Sequence, residues 1–285
     1  MTLQKIDWRT TTAAMWQRAS MPYRACLNRR DAARGMLPIP ALFYHRVADT
    51  HPTPWTISRA DFERQIDWMA KRFEFISLDE LQRRMQERSS FRAAVAITFD
   101  DGYRENLDFA LPLLLRLRIP VTYYVTAGNV LSGKTFPHDR ELGLDLPPHS
   151  ADEIADLARE GIDIGVHTMT HRDLGQALSE AELHEEIIGA REALESLTAR
   201  SLRHFAFPFG QRENVSPAAV KKVREAGYAS WSSAFGGYNV PGRSPDHILR
   251  FHGDPSLVRL SNWLTGDPRW RKVRADDLHV QQEPA

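Results

Sequence analysis

The chain has 285 residues, 42% of them hydrophobic, which is enough to bury a substantial core at a length where α/β barrels commonly form one domain. Its 37 basic and 37 acidic side chains balance to zero, so no global field recruits nucleic acid. The single cysteine, Cys26, excludes an intrachain disulfide; with no long apolar run and no apolar core of a secretory signal at the N-terminus, a cytoplasmic location is expected.

Residues 1–37 read as a basic extension. Lys5, Arg9, Arg18, Arg24, Arg29, Arg30 and Arg34 stand there against Asp7 and Asp31, a balance of +5. Met15, Trp16, Met21, Tyr23, Leu27 and Met36 are interleaved with them. Two readings stay open: a segment lying on the inner, anionic face of a membrane, or an extension packed on the domain. Pro22 is expected to interrupt any single long helix.

Ile39–Val47 is strongly apolar, as a strand covered on both faces is, and places His45 near its end. Ser58 precedes a helical pattern through Phe62, Ile66, Met69 and Phe73, and Ser77-Leu-Asp-Glu80 is a capping box that opens a helix running to about Glu87. Ala94–Phe99 is a buried strand that ends in Asp100, Asp101 and Gly102. Adjacent aspartates at a strand mouth call for a cation or donors between them; the same letters also make an Asp-Gly turn. A helix with Leu107, Ala110, Leu111, Leu114 and Leu115 follows, in which Pro112 marks a bend or the true start.

Pro120–Thr126 is another strand, and residues 128–149, which hold His138, Asp139 and His149, form the longest irregular connection. Such loops are usually functional, and this one is assigned to substrate binding rather than to a metal. Ser150 and Ser179 cap two further helices, and Ser216-Pro217 starts another. After the strand-like Ile162–Val166 come His167 and His171, spaced so that one turn or a tight loop aims both imidazoles at one point, although surface histidines have the same spacing. Two imidazoles and one carboxylate at strand ends make an open metal site. The alternation of strand and helix argues for a closed parallel barrel with its active residues at the strands' C-terminal ends.

Thr98-Phe-Asp-Asp-Gly-Tyr103, His167-Thr-Met-Thr-His171 and Phe205-Ala-Phe-Pro-Phe-Gly210, in this order, resemble the motifs of the polysaccharide deacetylase (NodB-homology) superfamily, carbohydrate esterase family four. The likeness covers roughly residues 40–255. It implies an α/β fold, a distorted (β/α)7 barrel of the polysaccharide deacetylase type, over residues 38–265; residues 266–285 are expected to be a C-terminal tail, partly disordered. It also implies that one divalent metal ion, zinc by its ligand set, sits on Asp101, His167 and His171, with Asp100 as general base. The expected reaction removes acetyl groups from an N-acetylated sugar, glycan or lipid-linked sugar.

By the same resemblance the Phe209 backbone N–H helps to hold the oxyanion, Tyr103 belongs to the substrate-binding set and Trp231 walls the acetyl pocket, the alternative for Trp231 being a plain core residue. The general acid comes from a Leu-x-x-His motif, present twice, at Leu42–His45 and Leu249–His252; His45 is the first choice and His252 the second. The third motif departs from the family pattern: Ala206 stands where an arginine normally orients the base. Arg250 is expected to take over that task by gripping Asp100, the alternative being a surface arginine or an ion pair with Asp254 or another carboxylate. Two rival functions remain, a hydrolase of another C–N bond in a cyclic ureide or imide, and an inert sugar-binding homologue.

Overall fold

The computed structural model describes residues 8–253 and 256–273; Lys5, Asp7, Asp254 and the tail beyond residue 273 lie outside the described residues. Seven parallel strands form its centre: β1 (Ala41–Tyr44), β2 (Ala94–Phe99), β3 (Val121–Val125), β4 (Asp163–Val166), β5 (His204–Ala206), β6 (Ser230–Ser233) and β7 (His247–His252). Each pairs with the next, and β7 pairs back on β1, so the sheet closes into the expected seven-stranded barrel. At the closure Ala41 lies opposite Ala96 on one side and Arg250 on the other.

Side chains alternate between two cores, as strand geometry requires. Leu42, Tyr44, Val95, Ile97, Phe99, Tyr123, Phe205 and Trp231 belong to the larger cluster, together with helix residues such as Phe62, Leu114 and Val223. Ala41, Ala94, Ala96, Ala206, Ile248 and Tyr124 form the narrow cluster of the lumen. Alanine is the commonest residue at its strand positions because seven strands enclose little space, and Ile39, Ile76, Leu78, Leu81 and Met85 complete the cluster. The Tyr124 hydroxyl lies 2.8 Å from Ser232 Oγ. Gly165 makes room for that ring, since a Cβ at this position would stand 2.3 Å from a Tyr124 ring carbon.

Several local expectations need correction. The first apolar run does not stay in the barrel: after His45, Arg46–Val47 turns away to pair with Thr56–Ile57. Ser230–Ser233 is a strand although its serines hide it from a hydrophobicity reading, because Ser232 faces the polar tip of Tyr124 and needs no apolar side chain. The connection over residues 128–149 holds two short helices, α5 (Ala127–Ser132) and α6 (Pro137–Glu141). Pro112 does mark a start, lying in the first turn of α4 (Ala110–Arg116), where its missing N–H costs nothing.

Pro22 does not interrupt α1, which runs unbroken over Trp8–Ala33. The proline sits on the exposed side, where water can pair the carbonyl it leaves unbonded, while polar contacts fix the other side to the barrel. Arg24, buried, donates to the Asn262 carbonyl at 2.7 Å and to Thr265 Oγ1 at 3.0 Å, at the end of α11 (Leu257–Leu264). Arg271 reaches Asp31 at 2.6 Å. No described helix is long and apolar enough to cross a membrane.

Candidate active site

The site is built at the C-terminal mouth of the barrel, where strand alternation hands Asp100 inward from β2. Strict alternation would send the next residue outward, but Asp101 takes a left-handed backbone, φ 74°, and enters the same space. His171 and Thr168 are likewise left-handed, at φ 58° and 65°. Such conformations in non-glycine residues persist only where the surroundings hold them.

For the loop over residues 167–171 the holder is Glu186. Its buried carboxylate accepts the backbone N–H groups of Met169 and Thr170, at 3.0 and 2.9 Å, and the Thr170 hydroxyl at 2.5 Å. Glu186 reaches them from a π-helical turn, Glu185–Gly189, inserted between α8 (Glu180–His184) and α9 (Ala190–Thr198). Such insertions displace one side chain from its helical row and recur at functional sites.

Three acceptors converge in this frame. The His167 ring binds the Ala206 carbonyl through Nδ1 at 2.8 Å, so in the neutral ring Nδ1 carries the hydrogen and Nε2 presents a lone pair. Nε2 of His167 and of His171 lie 3.4 and 3.1 Å from Asp101 Oδ1. That oxygen is buried with no hydrogen-bond donor. One ligand atom from each of the three residues fits within 4.8 Å of the others. Burial alone would raise the Asp101 pKa, but positive charge on the His171 ring and hydrogen bonds donated by the His167 and His171 rings outweigh it and hold the carboxyl well below the usual range, a task that a bound cation would take over. A buried carboxylate facing two imidazole nitrogens is a donor set that a divalent cation satisfies, and these residues fit one.

Asp100 has a different partner. Arg250 grips it bidentately, Nη1 to Oδ1 at 2.6 Å and Nη2 to Oδ2 at 2.9 Å. The guanidinium is itself fixed by Thr98 Oγ1 at 3.0 Å and the Ser233 carbonyl at 3.2 Å, and it lies 4.8 Å from the Phe43 ring centre. All of this is buried.

A cavity of about 230 Å³ opens on these groups, and His45, His138, Trp55, Phe207 and Phe209 also line it. His45 belongs to the wall, whereas His252, its ring centre 5.8 Å away, lies outside the lining. Burial lowers the pKa of both rings, that of His252 to about 4. Trp231, expected as a wall, is not one: alternation in β6 turns it outward, edge-on to Phe207 and stacked 3.6 Å from His247. Tyr103 is also outside the lining, buried behind His138. The sequence reading missed Trp55 and Glu186. Trp55 rides on a loop pinned by the buried Arg46, which pairs with Glu105 and donates to the His51 carbonyl at 2.8 Å and to Thr56 Oγ1 at 3.0 Å.

A family model described as polysaccharide deacetylase matches residues 88–231. A chitooligosaccharide deacetylase of Bradyrhizobium sp. (strain ANU 289) is 32% identical over 142 residues, 48% of this chain and 55% of that one. A poly-beta-1,6-N-acetyl-D-glucosamine N-deacetylase of Staphylococcus aureus (strain MRSA252) is 24% identical over 178 residues, 59% of each chain. The chain thus spans between half and two thirds of the length of these relatives. Among solved structures, the Streptococcus pyogenes deacetylase PplD in complex with acetate superposes with TM-score 0.67 at 19% identity, over 82% of this chain and all of that one (100%). IcaB from Ammonifex degensii gives 0.66 at 22%, over 80% and 97%. At these identities the structural likeness speaks for the fold.

Proposed function

Because the chain belongs to the polysaccharide deacetylase family, we propose that it hydrolyses the acetamide of an N-acetylated sugar, with Asp101, His167 and His171 holding a divalent cation of the zinc type. The observation that carries this is one cavity in which three converging acceptors stand beside a second, separately clamped carboxylate. When bound, the cation supplies Lewis acidity and an acidified water.

The chain's own groups divide the remaining work. Asp100, kept charged and oriented by Arg250, accepts a proton from the attacking water. His45 is the group on the wall able to protonate the departing nitrogen, so that water and amide become acetate and amine. Phe209, at the rim with φ 61°, supplies a backbone N–H for the oxyanion. Acetate release from N-acetylglucosamine oligomers, measured with and without added zinc, tests the reading. Absence of acetate, with turnover of cyclic imides or ureides instead, would replace it by the other C–N hydrolase reading.

The membrane contact is a separate proposal. It is supported by Met15, Met21 and Tyr23, exposed on α1 beside the exposed Arg18 and Arg29. Co-sedimentation with anionic vesicles should weaken as salt is added. Failure to bind at low ionic strength discards it.

A further inference from the structure

Asn106 is fully buried in the short helix Arg104–Asp108, which follows directly on the segment that carries Asp100 and Asp101. Its amide is turned toward the backbone that leaves β1. Nδ2 donates to the His45 carbonyl at 2.7 Å, and Oδ1 accepts the Val47 N–H at 3.0 Å. The second Nδ2 hydrogen goes to the Tyr123 hydroxyl at 3.1 Å, which itself donates to the Tyr103 carbonyl at 2.9 Å. The partners dictate which end of the amide each one meets, since a carbonyl can only accept and an N–H can only donate.

This is the point where the first strand leaves the barrel. The Tyr44 carbonyl still accepts the Asp100 N–H, at 2.8 Å, but Arg46–Val47 already pairs with Thr56–Ile57, and His45 lies between the two strands. A parallel neighbour takes from a strand one carbonyl and, two residues on, one N–H. Asn106 takes the same two groups with a single side chain, at His45 and Val47. The backbone on either side of His45 is thereby tied to the segment of the two aspartates at Tyr44, His45 and Val47. The ring itself has less to hold it. Its Nδ1 is buried and has no hydrogen-bond partner among the described residues, and Phe43 and His252 pack against the ring with centres 5.5 and 5.8 Å away. His167, by contrast, is turned by its own bond to the Ala206 carbonyl. The place of the His45 ring in the cavity therefore follows its backbone.

We propose that Asn106 is a positioning residue for the proton transfer to the departing nitrogen, setting the His45 ring through its backbone. Acid and base are then both gauged from one stretch of chain, residues 100–106. The inference rests on the deacetylase reading with His45 as the acid.

The test compares a leaving group that needs a proton with one that does not. An acetamide breaks with its electron pair on nitrogen, which must take up a proton, whereas 4-nitrophenyl acetate releases a phenolate that departs as the anion. Both are followed on the full chain with zinc added, and the quantity read is the ratio of kcat on N-acetylglucosamine oligomers to kcat on the ester. Asn106→Asp keeps the shape and the acceptor for Val47 but loses the donor to His45. It should lower the ratio by about 10–100-fold, the cost of a misplaced catalytic group, with zinc content unchanged. Asn106→Ala, which adds no charge and removes both bonds, should lower it at least as far. Tyr123→Phe deletes only the third bond of the same amide; it should lower the melting temperature and leave the ratio near native. His45→Gln should lower the ratio too, and Asn106→Asp added to it should cost nothing further, because both act through one group. Amide and ester rates that fall together in the Asn106 variants, or a ratio lowered equally by Tyr123→Phe, make Asn106 part of the fold alone. Either result overturns the proposal and leaves the deacetylase reading standing, as does a native ratio in His45→Gln. Native protein that releases no acetate from the oligomers removes both.

Discussion

Arg250 and Asp100, 150 residues apart in the chain, form a two-point ion pair at 2.6 and 2.9 Å inside the barrel mouth. A guanidinium orients a carboxylate by its fork, and β7 delivers that fork as well as any other strand would. Arg250→Lys keeps the charge and loses the fork. It should lower kcat by about 10–100-fold through misplacement of the base, with metal content unchanged. Arg250→Ala leaves a buried carboxylate unpaired and should cost about 3–5 kcal/mol of stability. Steady-state kinetics and thermal unfolding check the pair, and an unchanged kcat in the lysine variant would remove Arg250 from the chemistry.

The two adjacent aspartates should separate cleanly. His171→Ala or Asp101→Asn should lose stoichiometric zinc together with activity. Asp100→Asn should keep zinc and lose about 10²–10⁴-fold in rate, the worth of a positioned base. Elemental analysis beside an acetate assay reads both, and zinc retained in His171→Ala contradicts the ligand assignment.

Glu186 touches none of the proposed reacting groups, yet it fixes the loop that carries two of the three acceptors. Glu186→Ala should weaken zinc affinity about 10–100-fold, the range seen when the groups that orient ligands are removed. Glu186→Gln keeps an oxygen for the two N–H groups and should rescue most of the loss. Competition with a chelator measures the difference, and equal affinities for all three proteins would make Glu186 merely structural.

One buried histidine, His149, and two half-buried ones, His138 and His252, tie stability to pH. Burial depresses His138, His149 and His252 to about 4, and Glu153, which is 3.5 Å from His149, opposes this without cancelling it. A histidine whose folded pKa lies below its unfolded value near 6.5 binds its proton better when unfolded. Stability is therefore full above about pH 6.5 and is lost as pH falls toward 4, each group contributing up to about 1.4 kcal/mol per pH unit. Metal-stripped protein should melt progressively lower across that window, and His149→Gln should flatten the decline. A melting temperature constant from pH 7 to 4.5 would contradict these depressed values.

The barrel was legible because its strands are apolar runs with punctuated ends, and Asp100, Asp101, His167 and His171 were legible because they fall at those ends. Trp231 misled because a tryptophan in a short serine-rich strand has no periodic context to say which face it takes. Glu186 was invisible for a different reason: a π-helical turn breaks the 3.6-residue period from which a helix face is read. His138 was placed in the right loop, but only the fold brings it beside Tyr103, Trp55 and His171.

Closure of the barrel by β7 against β1 also has a meaning for biosynthesis. Chain emerging from a ribosome carries Asp100, Asp101, His167 and His171 well before residue 250 exists. At that stage the three acceptors can meet, but Asp100 has no guanidinium, Phe43 lacks the cation beside its ring, and β1 has only β2 for a barrel neighbour. The carboxylate proposed as the base is therefore the last group of the site to gain its partner, once the final strand is in place.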